Sequence, residues 1–412
     1  MKNTFIDLKN PDLYRDGIPH EAFARLRREA PVAWNPEDDG RGFWAVTRYE
    51  DIVAVSKNPK AFSSARIHGG HRIFDENVVG VAGVGADKTE APMISMDPPE
   101  HNQYRRMVSP GFAPRRVQAL EDRIRDRVSG ILDRLAGADT CDFVADIAAE
   151  LPIQMLAELM GVPQEDRAML FEWSNALIAE DDAEYRSSPE AVAEKIARMA
   201  EYALALWQQR FDHPGDDLIS MLVHSRVDGE AMTRERYIGT FILLVAAGNE
   251  TTRNSLSGGF LALAEHPAEK RRLIEDPSLL TSAAAEIVRW VSPVMHMRRT
   301  AIEEAEIGGQ AIRPNDKVIL WYCSGNRDEA VFADPFRFDI TRTDPAHVGF
   351  GTGQHFCLGA RLAEVQIRVF YEEFLRRYPD ACPAGPVQRM RSNFIVGYKS
   401  IPTQLVGRGS ES

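Results

Sequence analysis

The central part of the chain has the spacing of hydrophobic residues that amphipathic helices require. From about residue 101 to residue 290, apolar residues recur three and four positions apart, which predicts mostly helical structure. The longest predicted helix runs from about Arg234 to Glu265, and it is apolar on several faces, which indicates central burial. A shorter helix is predicted from about Ser282 to Val291.

Strand patterns lie on either side of this helical region. Residues Gly42–Val46 predict a strand, with a helix that starts near Tyr49. Residues 66–95 are rich in Gly, Ala and Val and predict a long irregular loop, which in compact domains is often functional. Two further strands are predicted at 305–309 and 317–322. A last helix is predicted from Cys357 to about Arg377, and a hairpin at 393–398.

The fold class that follows is mainly α with a small β lobe. We predict a single domain over residues 1–412, since no repeat or low-complexity linker divides the chain. We expect the β-rich parts near 30–65, 303–322 and 385–405. We expect the helical core at about 101–292 and 357–377.

Composition and charge narrow the class of function. The chain has 49 Lys and Arg against 61 Asp and Glu, a net charge of −12, which argues against nucleic acid and anionic membranes as partners. The first residues contain no apolar stretch long enough for a signal peptide, and the apolar run around Phe241–Ala247 is too short to cross a bilayer. We therefore expect a cytoplasmic protein without a membrane anchor.

Cysteine usage excludes two common metal or disulfide arrangements. Cys141, Cys323, Cys357 and Cys382 are spread along the chain and form no CxxC pair, so neither a zinc knuckle nor a disulfide framework is indicated. A cysteine of this kind is by default a small buried hydrophobic residue. Cys357 is different because three glycines lie within the ten-residue stretch 350–359 that contains it, and an amphipathic helix follows. Glycines allow tight turns and close approach of a flat ligand, and a helix N-terminus stabilises a thiolate.

The same loop resembles the haem-binding signature of the cytochromes P-450. The matching residues are Phe350, Gly353, His355, Cys357 and Gly359. The resemblance implies that Cys357 is the proximal iron ligand of haem b, whose thiolate favours O–O cleavage, and that His355 reaches a haem propionate. The family usually has Arg at the position of Glu364, a departure on the helix away from the iron. Similar residues run from about 30 to 400, and the fold implied is a triangular single domain with a long central helix over the haem.

The long helix contains an acid and an alcohol side by side. Gly248 costs a helix about 1 kcal/mol relative to Ala, and Glu250 and Thr251 are polar residues in apolar surroundings. One interpretation is a kink with capped or solvated polar groups. The other is a local opening of the helix where oxygen and water sit. The resemblance implies the second: Thr251 hydrogen-bonds the oxygen being activated, and Glu250 helps to relay the two protons that O–O cleavage needs.

Haem carries two propionates, and buried anions need cationic partners. His101 and Arg105 are four residues apart on one predicted helix face, which alone would equally fit a solvated surface helix. The resemblance implies that both bind the propionates, together with an arginine at 298 or 299. The spacing to Glu306–Gly309 favours Arg299.

Glu286 and Arg289 form an E-x-x-R pair on one helix face, a spacing that is common on surfaces. In the family such a pair joins the residue type found at Arg337 in a buried structural network behind the cysteine loop. The expected role of Glu286, Arg289 and Arg337 is therefore structural.

The expected activity is hydroxylation of a hydrophobic small molecule with O2. The chain resembles bacterial members that oxidise steroid side chains, methyl-branched lipids and terpenoids. Apolar candidates for the substrate pocket, each of which could also be ordinary core, are Leu243, Ala246, Ala247, Val294, Met297, Phe394 and Ile395.

Electrons must come from outside, because 412 residues leave no room for a fused reductase and no glycine-rich dinucleotide motif follows a strand. We expect a separate ferredoxin and ferredoxin reductase. The predicted docking residues on the cysteine side are Arg105, Arg106, Arg115, Arg116 and Arg361.

Two alternatives remain open. One is a peroxide-driven fatty-acid peroxygenase, against which Glu250 and Thr251 argue, since those enzymes lack the acid–alcohol pair. The other is a non-catalytic haem sensor or carrier, in which that pair would have no purpose.

Overall fold

The computed structural model describes residues 6–38, 40–79, 91–178, 181–185, 188–344 and 346–405. Of the predicted irregular loop at 66–95, residues 80–90 lie outside this range. The α-helices are α1 (His20–Glu29), α2 (Tyr49–Ser56), α3 (Glu76–Val79), α4 (Glu100–Val108), α5 (Pro114–Ala119), α6 (Glu121–Asp133), α7 (Glu150–Met160), α8 (Arg167–Ile178), α9 (Pro189–Asp212), α10 (Leu218–His224), α11 (Arg234–Glu265), α12 (Pro267–Glu275), α13 (Leu280–Val291), α14 (Tyr322–Gly325) and α15 (Ala360–Arg377).

The strands are short and most of them lie near the two ends of the chain. They are β1 (Val32–Asn35), β2 (Phe43–Val46), β3 (Phe62–Ser63), β4 (Thr140–Asp142), β5 (Arg226–Val227), β6 (Glu230–Ala231), β7 (His296–Ala301), β8 (Ala305–Ile307), β9 (Gln310–Ile312), β10 (Lys317–Trp321), β11 (Cys382–Pro383), β12 (Gln388–Arg389), β13 (Tyr398–Ser400) and β14 (Pro402–Gln404).

The largest sheet joins the N-terminal strands to those after residue 295, in the order β1-β2-β10-β7-β3. Strand β10 pairs in parallel with β2, with Ile319 opposite Ala45, and antiparallel with β7, with Ile319 opposite Arg298. Both Ile319 and Ala45 are fully buried. The sheet therefore fixes β7, which leads into the candidate site, against two neighbouring parts of the chain.

Helix α11 is the centre of the helical part, and its observed bounds are the predicted ones. Thr233 caps its start, since the hydroxyl accepts a hydrogen bond from the backbone amide of Arg236 at 3.2 Å. Pro267 begins the next helix, two residues after Glu265. Helix α11 contacts α7, α8, α9, α13 and α15. Because it is packed from several sides, it needs no continuous polar face.

A hairpin is observed in the tail, where one was predicted at 393–398. Strand β12 pairs antiparallel with β13, and residues 390–397 connect the two strands. The hydroxyl of Ser392 accepts hydrogen bonds from the backbone amides of Phe394 and Ile395 at 3.0 and 3.2 Å, which bends the chain there. A side chain that competes for backbone donors in this way favours a turn over a strand.

No helix within the described ranges is both long enough and apolar enough to cross a bilayer.

Candidate active site

The cysteine loop is held in one conformation by its own backbone. A short 3₁₀ turn, Gly353–His355, precedes Cys357, and the amide of Cys357 donates to the carbonyl of Phe350 at 2.9 Å. Gly353 has φ of 71°, and a Cβ there would lie 2.5 Å from the backbone oxygen of Ser56. Only glycine fits both conditions. The loop thus presents the exposed Cys357 immediately before helix α15.

Opposing effects act on the Cys357 thiol. Desolvation by the surrounding protein raises the pKa of Cys357, and Glu364 adds to this, whereas hydrogen bonds from the backbone amides of Gly359 and Ala360 and the charge of Arg105 lower it. The balance leaves the pKa above its ordinary value. The two backbone amides and Arg105 thus favour the thiolate without outweighing desolvation, so a positively charged group bound at the sulfur would be needed to favour the anion.

Two histidine rings meet beside this loop. The ring centroids of His101 and His355 are 4.3 Å apart, and within the described ranges the buried Nε2 atom of each makes no hydrogen bond. Burial lowers the pKa of both side chains, and Arg299 lowers each further, so the rings are neutral at pH 7. Buried nitrogens without partners cost free energy unless a ligand satisfies them. Two such atoms near the cation Arg299 fit an anionic group such as a haem propionate.

The structure separates the two neighbouring arginines of β7. Arg298 donates to the carbonyls of Phe74 and His68 at 3.0 and 3.1 Å, so it holds the segment before α3. Arg299 is 4% exposed and acts electrostatically on the two histidines. Arg298 is thus engaged by the carbonyls of this segment, whereas Arg299 is close enough to lower the pKa of both histidines.

Arg105 lies against the cysteine loop. Its Nη2 donates to the carbonyl of Phe356 at 2.7 Å, one residue before Cys357. The side chain is half-buried, which leaves part of the guanidinium available to another acceptor.

The acid and the alcohol lie together in the middle of α11, but the predicted opening of the helix is not observed. Helix α11 is continuous through Gly248, and the Thr251 hydroxyl donates to the Ala247 carbonyl at 2.9 Å. A Cβ at Gly248 would lie 3.2 Å from a methyl group of Leu156, so close packing against α7 accounts for the glycine. Such a hydroxyl still has free lone pairs that can accept a hydrogen bond.

Glu250 is fully buried and paired with Arg253 on the next turn. Burial raises the pKa of Glu250, and Arg253 followed by Asn254 opposes that increase. Arg253 in turn reaches the side-chain oxygen of Asn175 in α8 at 3.4 Å. A buried carboxyl group with a raised pKa, connected to polar groups on a second helix, is suited to take up and release a proton.

The structure brings most of the pocket candidates together. Phe394 and Ile395 are buried in a small apolar cluster that also contains Ala246, Val294 and Met297. Ile395 forms an isolated β-bridge with Val294. On α11, Leu243 is half-buried and Ala247 is exposed, in the middle of an otherwise buried helix. The cluster includes Leu177 of α8, which the sequence analysis missed because nothing in its helical spacing distinguishes it from core residues.

The ion network behind the cysteine loop is buried, and one of its three side chains differs from the predicted set. Glu286 and Arg289 are each 1% exposed, and two parallel hydrogen bonds of 2.6 and 2.7 Å join them. The expectation for Arg337 was wrong, because its side chain is 62% exposed and only its backbone carbonyl accepts from Arg289, at 3.3 Å. Arg342 contributes the third side chain, 3.5 Å from Glu286. The chain turns between 337 and 342, so sequence position alone could not distinguish the two arginines.

The predicted docking arginines differ in how their charge is used. Arg106 is paired with Asp228 at 2.8 Å, and Arg116 with Asp216 at 3.1 Å. Arg115 and Arg361 are exposed. Two of the five arginines are thus partly neutralised by aspartates of this chain.

Comparison with known proteins agrees with this site. The family model for cytochrome P450 matches residues 149–405. Linalool 8-monooxygenase of Pseudomonas putida is 47% identical over 400 residues, covering 97% of this chain and 98% of the relative. Steroid C26-monooxygenase of Mycobacterium tuberculosis is 36% identical over 416 residues, covering 98% and 93%. A Mycobacterium marinum cytochrome P450 solved in complex with pseudoionone has a TM-score of 0.88 at 38% identity, covering 97% and 98%.

The chain therefore belongs to the cytochrome P450 family. It is a monooxygenase, and membership of the family implies a haem cofactor, a hydrophobic substrate, and redox partners that supply electrons.

Proposed function

We propose that this protein binds haem b through the Cys357 thiolate and hydroxylates an acyclic terpenoid or a similarly branched lipid or steroid side chain. Two electrons would come from a ferredoxin and its reductase, and O2 would be the oxidant. The observation that carries the proposal is the pair of buried, unpartnered nitrogens of His101 and His355, which lie with Arg299 beside the cysteine loop.

Four side chains would hold the propionates: His101, Arg105, Arg299 and His355. His355 would donate from Nε2. The Nδ1 atom of His101 donates to the side-chain oxygen of Asn102 at 3.2 Å, so its Nε2 would donate only once the ring is protonated, a form that an anionic group favours. The arginines would supply the positive charge. Thiolate-bound haem, once in place, supplies the reductive activation of dioxygen. Gly359 would allow the start of α15 to approach the flat cofactor closely.

Thr251 and Glu250, on neighbouring positions of α11, would hold and move protons. The Thr251 hydroxyl donates to the Ala247 carbonyl, so its oxygen can accept a hydrogen bond from water or an oxygen ligand. Because its pKa is raised, Glu250 holds a proton more readily than an ordinary carboxyl group and can deliver it. Arg253 and Asn175 connect Glu250 to α8 and would position its carboxyl group, and water would return the proton, since neither side chain can transfer one.

The apolar cluster around Phe394 would hold the substrate and exclude water. Aliphatic and aromatic walls recognise hydrocarbon skeletons through area and shape. The names of the relatives support a branched isoprenoid skeleton, since one acts on linalool and a neighbouring structure contains pseudoionone. Steroids and methyl-branched lipids carry similar branched chains, and they remain in the proposed class.

The proposed site of electron delivery is the surface around the cysteine loop. Exposed Arg115 and Arg361 are the cations on which docking would depend most, since Arg106 and Arg116 already pair with aspartates. Replacing Arg115 and Arg361 with Glu should slow ferredoxin-dependent reduction and remove most of its salt dependence. Unchanged reduction rates would contradict this docking surface.

The test of the proposed function is spectroscopic. The reduced carbonyl complex should show the red-shifted Soret band of thiolate ligation. Linalool, pseudoionone, a steroid and a branched fatty acid should each be added to the ferric protein. At least one of these ligand classes should produce the Soret shift that reports a low-to-high-spin change of the iron. A normal, unshifted carbonyl band would reject thiolate ligation. Efficient turnover with hydrogen peroxide alone would instead favour the peroxygenase.

A further inference from the structure

An arginine near the apolar cluster joins three separate parts of the chain. Arg391 lies in the loop 390–397 between β12 and β13, here called the tail loop, three residues before Phe394. Its Nε and Nη2 atoms donate to the two carboxylate oxygens of Asp12 at 2.7 and 3.0 Å, and its Nη1 atom donates to the backbone carbonyl of Asp181 at 2.8 Å. One guanidinium thus binds both the N-terminal segment and the connection between α8 and α9 to the tail loop.

A second set of bonds holds the same connection against the end of the tail loop. Asp182 is 3% exposed, and its carboxylate accepts from the backbone amide of Arg391 at 2.8 Å and from the ammonium group of Lys399 at 2.7 Å. Lys399 also donates to Glu184 at 2.8 Å. Burial opposes ionisation of Asp182, but Lys399 and the amides of Arg391 and Glu184 outweigh it and lower the pKa of Asp182. We call this group of charged side chains the ion clasp; its members are Asp12, Asp182, Glu184, Arg391 and Lys399.

Both segments that the ion clasp joins carry walls of the apolar cluster or lead directly from one. Phe394 and Ile395 belong to the tail loop, and Leu177 lies at the end of α8, four residues before Asp181. Phe394 and Ile395 are 7% and 2% exposed, so the tail loop closes its side of the cluster to solvent. A ligand passes between the two segments only when they separate, and the bonds of the ion clasp must break in that step.

A cavity of about 680 Å³, here called the outer cavity, meets the other side of the tail loop. Asn10, Asp181 and Asn393 line it, and each of them lies within two residues of a member of the ion clasp. Arg72 also lines it, with its guanidinium carbon 4.0 Å from the centroid of the Phe394 ring. The outer cavity has the volume of a small-molecule site. The tail loop therefore separates this cavity from the apolar cluster.

We propose that the ion clasp is the gate between the outer cavity and the substrate pocket, and that its opening limits how fast a hydrophobic ligand enters and leaves. This inference rests on the proposed function, because it takes the apolar cluster as the substrate pocket. The clasp is closed both before and after a ligand binds. Weakening it therefore speeds entry and exit by the same factor and leaves the dissociation constant unchanged. Its members are positioning residues that touch neither substrate nor cofactor.

The experiment measures ligand exchange in the haem-loaded ferric protein by stopped-flow absorbance. The probe is 4-phenylimidazole, an apolar ligand that coordinates haem iron, so the test does not require the natural substrate. Arg391→Ala should raise the association and dissociation rate constants about fivefold each and keep the dissociation constant within about twofold, because partly exposed ion pairs contribute modestly. Asp12→Asn removes only the N-terminal arm of the ion clasp and should raise both rate constants about twofold.

Arg389→Ala is the matched control, because Arg389 is also half-buried and lies two residues earlier, but its guanidinium stacks on the Tyr398 ring at 4.9 Å. It should keep the wild-type rate constants. Carbon monoxide is the size control, because a diatomic ligand does not need the two segments to separate. Its association with the reduced protein should be the same in the wild type and in all three variants. Raising NaCl to 1 M should speed exchange of 4-phenylimidazole more in the wild type than in Arg391→Ala, because salt screens partly exposed charges.

Unchanged association of 4-phenylimidazole in Arg391→Ala would overturn the inference. Faster association of carbon monoxide by the same factor would also overturn it, since that indicates general loosening of the pocket. So would a weaker dissociation constant with an unaltered association rate, because Arg391 would then have only a structural role. Asp12→Asn, a change at a half-exposed side chain, protects the test against misfolding of Arg391→Ala. Failure of the proposed function is distinguishable, because an unshifted carbonyl Soret band of the wild type would reveal it without any variant.

Discussion

Two arginines near the buried Glu286–Arg289 pair allow the ion network to be tested quantitatively. Arg342 is 11% exposed in its side chain, lies 3.5 Å from Glu286, and donates to the carbonyls of Ala333 and Asp334 at 3.0 and 3.3 Å. Arg337 points its side chain outward and lies 4.0 Å from Asp339. The perturbation is Arg342→Ala, compared with Arg337→Ala as a matched control five residues away.

The magnitude follows from what each variant removes. Arg342→Ala breaks two hydrogen bonds from a charged donor and weakens the neutralisation of Glu286, but the bidentate bond from Arg289 remains. We therefore expect the free energy of unfolding to fall by about 2–3 kcal/mol, less than the ~3–5 kcal/mol for removing one partner of a fully buried pair. Arg337→Ala removes an exposed contact and should change the free energy by no more than about 0.5 kcal/mol.

The assay is urea unfolding of both haem-loaded variants, followed by tryptophan fluorescence and by the Soret band. Transitions that coincide for the two probes, with slopes equal to the wild type, allow midpoints to be converted to free energies. A loss in Arg337→Ala equal to or larger than that in Arg342→Ala would refute this assignment of the network.

Three further outcomes are expected. Cys357→Ala should abolish the red-shifted carbonyl band, and persistence of that band would exclude Cys357 as the ligand. Thr251→Ala should retain haem and substrate binding but divert most electrons to hydrogen peroxide, which product-to-NADH ratios measure, and unchanged coupling would contradict its role. Glu76 has a folded pKa of about 2, below its ordinary value of 4.5, so the stability it contributes is present above pH 4.5 and lost as pH falls towards 2. Glu76→Gln should therefore lose less stability than the wild type between pH 5 and pH 3 in thermal unfolding, and parallel profiles would contradict the shift.

Local patterns were sufficient for the long elements. Helix α11 could be bounded from sequence because Thr233 caps its start and Pro267 follows its end, both of which act within one helical turn. The cysteine motif likewise encodes part of its conformation locally, since the φ of 71° at Gly353 favours glycine whatever surrounds it. Such features depend on neighbouring residues, which a sequence displays directly.

Contacts between residues that are distant in sequence could not be predicted from local sequence patterns. The sequence offered Arg337 for the network, whereas the turn at 337–342 places Arg342 beside Glu286. Leu177 joins the pocket cluster only because α8 packs on α11. Arg72 meets Phe394 across more than 300 residues. Each depends on tertiary packing, for which local spacing carries no signal.

The two arginines that the sequence left unresolved show how one strand can serve two sites. In β7, Arg298 lies opposite Ile319 and Arg299 opposite Val318, and successive side chains of a strand point to opposite faces. Arg299 therefore lies on the face opposite Arg298, near enough to lower the pKa of His101 and His355, while Arg298 binds the carbonyls of His68 and Phe74 on either side of Arg72. A one-residue slip of β7 would exchange these faces and disturb both sites at once. The buried pairing of β7 with β10 thus sets the proposed haem clamp and the placement of Arg72 together, although the two sites share no side chain.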